Sequence, residues 1–150
     1  MSLLPLSGKT VLCVASSGIA AHLLPDGRTA HSRFGIPLDI NELSVANIRK
    51  NTQLAELIRN TYLLIWDGVP MQHKFCFEAV HRTLQDICNN DLAIFGGIPI
   101  ILGGDFAQIL PIVCKGYRAQ TIQACIQSSY LWMASFYNIT TTPEYEGYIC

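Results

Sequence analysis

The apolar residues of this chain fall into two rhythms. Short unbroken runs occur at residues 11–15 (Val11-Leu12-Cys13-Val14-Ala15), 63–66 (Leu63-Leu64-Ile65-Trp66) and 98–102 (Ile98-Pro99-Ile100-Ile101-Leu102). Runs of that length, rich in β-branched and aromatic residues and bounded by Gly, Pro or Asp, read as strands. Because 63–66 does not alternate with polar positions, it predicts a strand buried on both faces of a parallel sheet. Between the runs the spacing changes to threes and fours. Phe77, Val80, Leu84 and Ile87 predict a helix over 72–89, with His73, Lys74, Glu78, His81, Arg82, Gln85 and Asp86 on its polar face. Val45, Ile48, Leu54, Leu57 and Ile58 predict one or two packing helices over 44–60, joined near Asn51-Thr52. Residues 16–24 read as a Ser-capped helix ended near Pro25-Asp26-Gly27. Residues 119–132 read as helical, 136–142 as a strand, and 143–150 as a tail. Strands alternating with helices predict an α/β architecture.

Composition narrows this to one domain. The chain has 150 residues, 50% of them hydrophobic and only 14% charged, against about 25% charged in ordinary soluble domains. Such a balance suits a piece whose apolar surfaces are covered by neighbouring segments. No run approaches the roughly 18 apolar residues that span a bilayer, and no secretory signal pattern opens the chain, so an intracellular setting is expected. The six cysteines show no metal-ligand spacing and read as reduced, mostly buried thiols. A net charge of −1 exerts no global pull on nucleic acid but leaves room for a local basic track.

Candidate chemistry collects at strand ends. Asp67 stands at the carboxyl end of the central run, where open α/β sheets place ligands, and Gly68 follows it. Nucleotide hydrolases with a phosphate-cradling loop use such an Asp for Mg²⁺, and many follow it with a Glu that polarises water. The third run ends in Gly103-Gly104-Asp105-Phe106-Ala107-Gln108, where two glycines permit a sharp turn and a close approach. Gly8-Lys9-Thr10 is not a phosphate loop: Leu3 stands where its first Gly belongs, and a strand follows where a helix should. Lys9 reads as the solvated start of that strand. Arg28-Thr29-Ala30-His31-Ser32-Arg33-Phe34 combines two arginines with an aromatic, the composition of a single-strand contact; the alternative is a solvated loop with Phe34 tucked into the core. Ser16, Ser17 and Gly18 open a helix whose free N–H groups could meet a phosphate. His73 and His81 are too far apart to chelate one metal and read as surface histidines. No nucleophile elbow is present, and Asn138-Ile139-Thr140 is a formal glycosylation site that an intracellular chain would not use.

Several of these stretches in register, residues 14–21, 29–34, 65–67, 75–79, 103–106 and 108–111, resemble the PIF-type DNA helicases, with wording nearest the versions spread by Helitron transposons. The similarity runs from about residue 11 to 132, leaving 133–150 as a diverged tail. It implies a partial first motor domain of a superfamily-one, five-prime-to-three-prime, ATP-dependent helicase acting in DNA replication, repair and recombination, in a nuclear setting ahead of a mitochondrial or cytoplasmic one. The implied fold is RecA-like, a parallel sheet flanked by helices (the P-loop NTPase fold), truncated and lacking the phosphate-loop strand. By the same resemblance Ser16, Ser17 and Gly18 lie in a motif lining the single-stranded DNA track, with His31 in the next and Arg33 and Phe34 beside it. Asp67 becomes the magnesium-associated acid, and Gln108 the residue that senses the γ-phosphate.

The departures are as informative. The family's Asp-Glu-Ala-Pro is here Asp67-Gly68-Val69-Pro70, so the water-orienting carboxylate is replaced by Gly68. The phosphate loop, which in the family precedes the strand starting at Val11, is not found, and Ala107 stands where relatives commonly carry Arg. Mg²⁺ and ATP are therefore implied by the family while this chain alone is expected to be inactive. Two roles follow: part of an ATP-driven helicase, or a non-catalytic module binding single-stranded DNA or a partner, with a functionless relic as its limit. Losing an internal strand also predicts marginal stability.

Overall fold

The computed structural model describes residues 8–104, 111 and 118–135. Gln108 and Asp105, the 136–142 strand and the 143–150 tail lie outside them, as do Cys114 and Cys150. The predicted alternation is present. Strand β1 (Thr10–Ala15) leads into helix α1 (Gly18–Leu23), then β2 (Arg28–Thr29), α2 (Ala30–Phe34), α3 (Gln53–Arg59) and β3 (Thr61–Asp67). A 3₁₀ turn at Val69–Met71 precedes α4 (Lys74–Cys88); β4 (Ile100–Leu102), α5 (Arg118–Ala124) and α6 (Tyr130–Ser135) follow.

The four strands among the described residues run parallel in the order β2-β1-β3-β4. The register sets Ala15 beside both Thr29 and Asp67, and Trp66 beside Leu102. One edge of the sheet therefore gathers every carboxyl end, where open α/β sheets offer their loops to ligands. The sheet buries Leu12, Val14, Leu64 and Trp66 against Phe34 of α2, Ala55 and Ile58 of α3, and Phe77, Val80, Leu84 and Ile87 of α4. Trp66 is fully enclosed, with its ring centroid 4.4 Å from Phe77 and 5.8 Å from Phe34. Lys9 lays its ammonium over the Tyr62 ring, 3.8 Å from the centroid, as the start of a strand.

Four local expectations are corrected. β3 is not buried on both faces: Leu64 and Trp66 are enclosed, but Leu63 and Ile65 on the other face are only half-buried and Ile101 of neighbouring β4 is half exposed. The helices α3 and α4 cover one face, and the described residues cover the other less completely. Residues 44–50 are not helical, because their backbone groups find distant partners instead of the i−4 carbonyl. Ala46 N–H donates to Thr83 Oγ1, Asn47 N–H to the Gly35 carbonyl, and the Ser44 carbonyl accepts from Arg82. The 119–132 helix is broken by a 3₁₀ turn at Ile126–Ser128, where the buried Ser129 hydroxyl donates to Glu78 Oε1 at 2.6 Å. Finally His81 is buried, one turn after Phe77 on the inward side of α4. Its Nδ1 accepts the Phe95 N–H at 2.9 Å, and burial lowers its pKa. His73 caps α4, its Nδ1 accepting from Phe75 N–H. Cys13, Cys76 and Cys125 are buried and Cys88 partly so.

Candidate functional site

The carboxyl edge has two halves. In the first, Asp67 ends β3 with its carbonyl accepting the Ser16 N–H at 2.9 Å. The chain then turns through Gly68 at φ 72°, ψ 27°, the left-handed region that glycine enters freely. The loop after β4 closes against this turn: Gly103 N–H donates to the Trp66 carbonyl at 2.8 Å, and Val69 N–H to the Gly103 carbonyl at 3.0 Å. A Cβ at Gly104 would meet Pro70 Cδ at 2.4 Å, and one at Gly103 would meet Asp67 Oδ1 at 3.2 Å. The close approach predicted for this glycine pair is therefore an approach to the Asp67 loop itself. Gln108, predicted to share this site, lies outside the described residues.

Gly68 is more than an absent carboxylate. A side chain there would have to adopt a left-handed backbone and place its Cβ 3.3 Å from that of Ser16. Among the described residues no group of three or more His, Cys, Asp or Glu side chains is placed to hold a metal. A magnesium nucleotide needs a phosphate cradle and several oxygen ligands. Asp67 offers one carboxylate, so the described residues do not by themselves supply that ligand set.

The second half lies beyond β1 and β2. Ser16 and Ser17, predicted to face a DNA track, use their hydroxyls internally. Ser16 Oγ accepts the Trp66 indole N–H at 3.3 Å, and Ser17 Oγ caps α1 by accepting the Ala20 N–H at 3.2 Å. Gly18 stands in open space as the first residue of α1. Thr29 caps α2 in the same way, so 29–34 is a strand end and a helix where sequence suggested an irregular segment. Positions four apart share a helix face, so Ala30 and Phe34 turn inward together. Phe34 is fully buried against Trp66 and cannot offer a ring to a base; its sequence assignment as a nucleic-acid contact is corrected.

His31, Ser32 and Arg33 occupy the rest of the turn. Arg33 Nη2 donates to the Asp26 carbonyl at 3.2 Å, while partial burial and the like charge of Arg28 weaken its hold on its proton against the opposing pull of Asp26. His31 is half-buried, its pKa lowered by desolvation, and its Nδ1 lies 3.3 Å from Gln72 Nε2. Gln72 is a residue that sequence reasoning missed. It is 4% exposed and ties the loop after Asp67 to α2; a Gln after Pro-Met carries no signal of that contact.

Residues 1–143 match the family described as PIF1-like helicase. Among curated relatives, the ATP-dependent DNA helicase Pif1 of Psychrobacter is 33% identical over 108 residues, 71% of this chain and 16% of that protein. A Pif1 helicase crystal structure from Bacteroides superposes with a TM-score of 0.70 at 27% identity, covering 84% of this chain and 30% of that one. Bacteroides Pif1 bound to single-stranded DNA gives a TM-score of 0.65 at 30% identity, covering 83% and 28%. The chain thus spans less than a third of the length of each. These likenesses agree with the truncated RecA-like sheet expected from the motifs.

Proposed function

The chain belongs to the PIF1-like helicase family, and from that membership we propose that it contributes the single-strand-binding part of a first motor domain without the means to hydrolyse ATP. The enzyme to which such a part belongs is proposed to be ATP- and magnesium-dependent, to move five-prime to three-prime, and to serve DNA replication, repair and recombination in the nucleus.

One observation carries the division of labour: the two halves of the carboxyl edge are in different condition. The Asp67 loop is closed by backbone hydrogen bonds around a left-handed Gly68, whereas Gly18, Arg28 and Ser32 remain exposed. A half-buried His31, its pKa lowered by desolvation, serves as a hydrogen-bond partner for a strand rather than as a cation. The non-catalytic reading is favoured for the chain by itself for the same reason.

Two measurements on the purified chain test this. Fluorescence anisotropy with a labelled oligothymidylate should show binding that weakens as salt rises, and His31→Ala should weaken it by about two- to tenfold, the worth of one hydrogen bond. Phosphate release from ATP with DNA present should stay at background. DNA-stimulated turnover that disappears in Asp67→Ala would overturn the non-hydrolytic assignment, and absence of binding at low salt would leave the relic.

A further inference from the structure

Helix α3 was expected only to pack, yet its first turn forms one wall of a cavity of about 300 Å³ whose other wall is the β2–α2 segment. The lining is Arg28, Ser32, Arg33, Gln53, Leu54 and Leu57. Among the described residues no carboxylate lines it. Its polar groups are two guanidinium ions, a hydroxyl and an amide, and two like charges so placed repel each other unless an anion lies between them. The Asp26 carboxylate acts on Arg33 electrostatically without lining the cavity, and the Asp26 backbone carbonyl accepts from Arg33 Nη2. Arg33 Nε is buried and has no hydrogen-bond partner among the described residues. A buried donor left unmatched is unfavourable, so Arg33 gains from an anion in the cavity that draws its guanidinium toward it.

The geometry points to a phosphate subsite: one backbone phosphate of a single strand seats between Arg28 and Arg33, with Ser32 and Gln53 as further donors and Leu54 and Leu57 as an apolar floor. The source of the phosphate rests on the single-strand reading above. The donor set rests on the cavity alone. The assignment extends the binding surface from α2 to α3 and gives Gln53 a role that neither motif nor periodicity suggested.

The test uses the whole 150-residue chain, ¹⁵N-labelled and kept cold. Inorganic phosphate and an oligothymidylate are titrated separately while the Arg33 Nε–H resonance is followed, and oligonucleotide affinity is measured across a salt series. Both ligands should move the Arg33 signal. Arg28→Gln, an exposed position, should weaken oligonucleotide binding about three- to tenfold and lower the salt slope by about 0.7, the value for one single-strand phosphate. Ser32→Asp, which puts a carboxylate into the cavity, should abolish the phosphate response, and Arg28→Lys should recover most of the affinity. If the oligonucleotide binds but the Arg33 resonance and the Arg28→Gln slope do not change, the subsite is wrong and the single-strand reading stands. If phosphate moves the signal and the oligonucleotide does not bind, the single-strand source fails and the cavity is an anion site of another kind. If neither ligand binds, both assignments fall.

Discussion

The Asp67 loop and the β2–α2 segment lie at the same edge of one sheet, and they have kept different things. At Asp67 the acid is in place, but its surroundings are backbone on backbone: Ser16 to Asp67, Gly103 to Trp66, Val69 to Gly103. At β2–α2 the backbone is satisfied by a short helix and its Thr29 cap, with Arg28, Ser32 and Arg33 lining a cavity. The contrast teaches that two ends of one sheet edge can present different groups, backbone bonds at one and cationic side chains at the other, on a shared architecture. Strand pairing depends on the backbone and on core packing; catalysis depends on single side chains.

The comparison can be broken most severely at Phe34. If it serves the core, Phe34→Ala should cost about 3–5 kcal/mol, a large share of the roughly 5–15 kcal/mol that holds an ordinary domain folded. Denaturant titration by circular dichroism would measure it. A variant that melts like the parent and loses only DNA affinity would return Phe34 to the binding surface. The parent itself is expected to melt broadly at modest temperature, since Ile101 at the β4 edge is 51% exposed.

A smaller effect is expected at Gly68. Gly68→Glu restores the family's residue type but sets it in a left-handed backbone, at a cost of about 1–2 kcal/mol. Its expected outcome is a lower melting temperature and no ATP turnover. Turnover would show that the loop can reopen around a carboxylate, and would erase the difference between the two halves.

The mildest lever is pH. His31, His73 and His81 all have pKa values lowered by burial, so protonation is disfavoured in the folded chain. Their contribution to stability is full above the unfolded-state value of about 6.5 and is lost as pH falls below it toward the folded values. Chemical denaturation should therefore show stability declining from pH 7 toward pH 5. His81 is the sharpest probe, because a proton on Nδ1 would displace the Phe95 N–H. His81→Gln should flatten the decline.

What could be read in advance follows what each signal depends on. The strands at Val11 and Leu63, the 72–89 helix and the Ser17 cap were legible because unbroken runs, 3.6-residue spacing and a cap are local properties. The 44–60 helices were half wrong because Thr83, Gly35 and Arg82, far along the chain, offered the backbone other partners. His81 looked like a surface residue because its polarity outweighed its place one turn after Phe77. Asp67 was placed correctly at a strand's carboxyl end, because the apolar run before it is local. Gln72 and Gln53 carried no signal, since each matters only through what packs against it.

The sequence by itself determined the family and the parallel α/β plan, because motifs and periodicity are written along the chain. Only the tertiary structure decided that Phe34 belongs to the core, that the Gly103-Gly104 turn closes on the Asp67 loop, and that Arg28 and Arg33 share a cavity with α3. Those outcomes depend on which residues distant in sequence become neighbours, and burial and hydrogen-bond pairing exist only once they do.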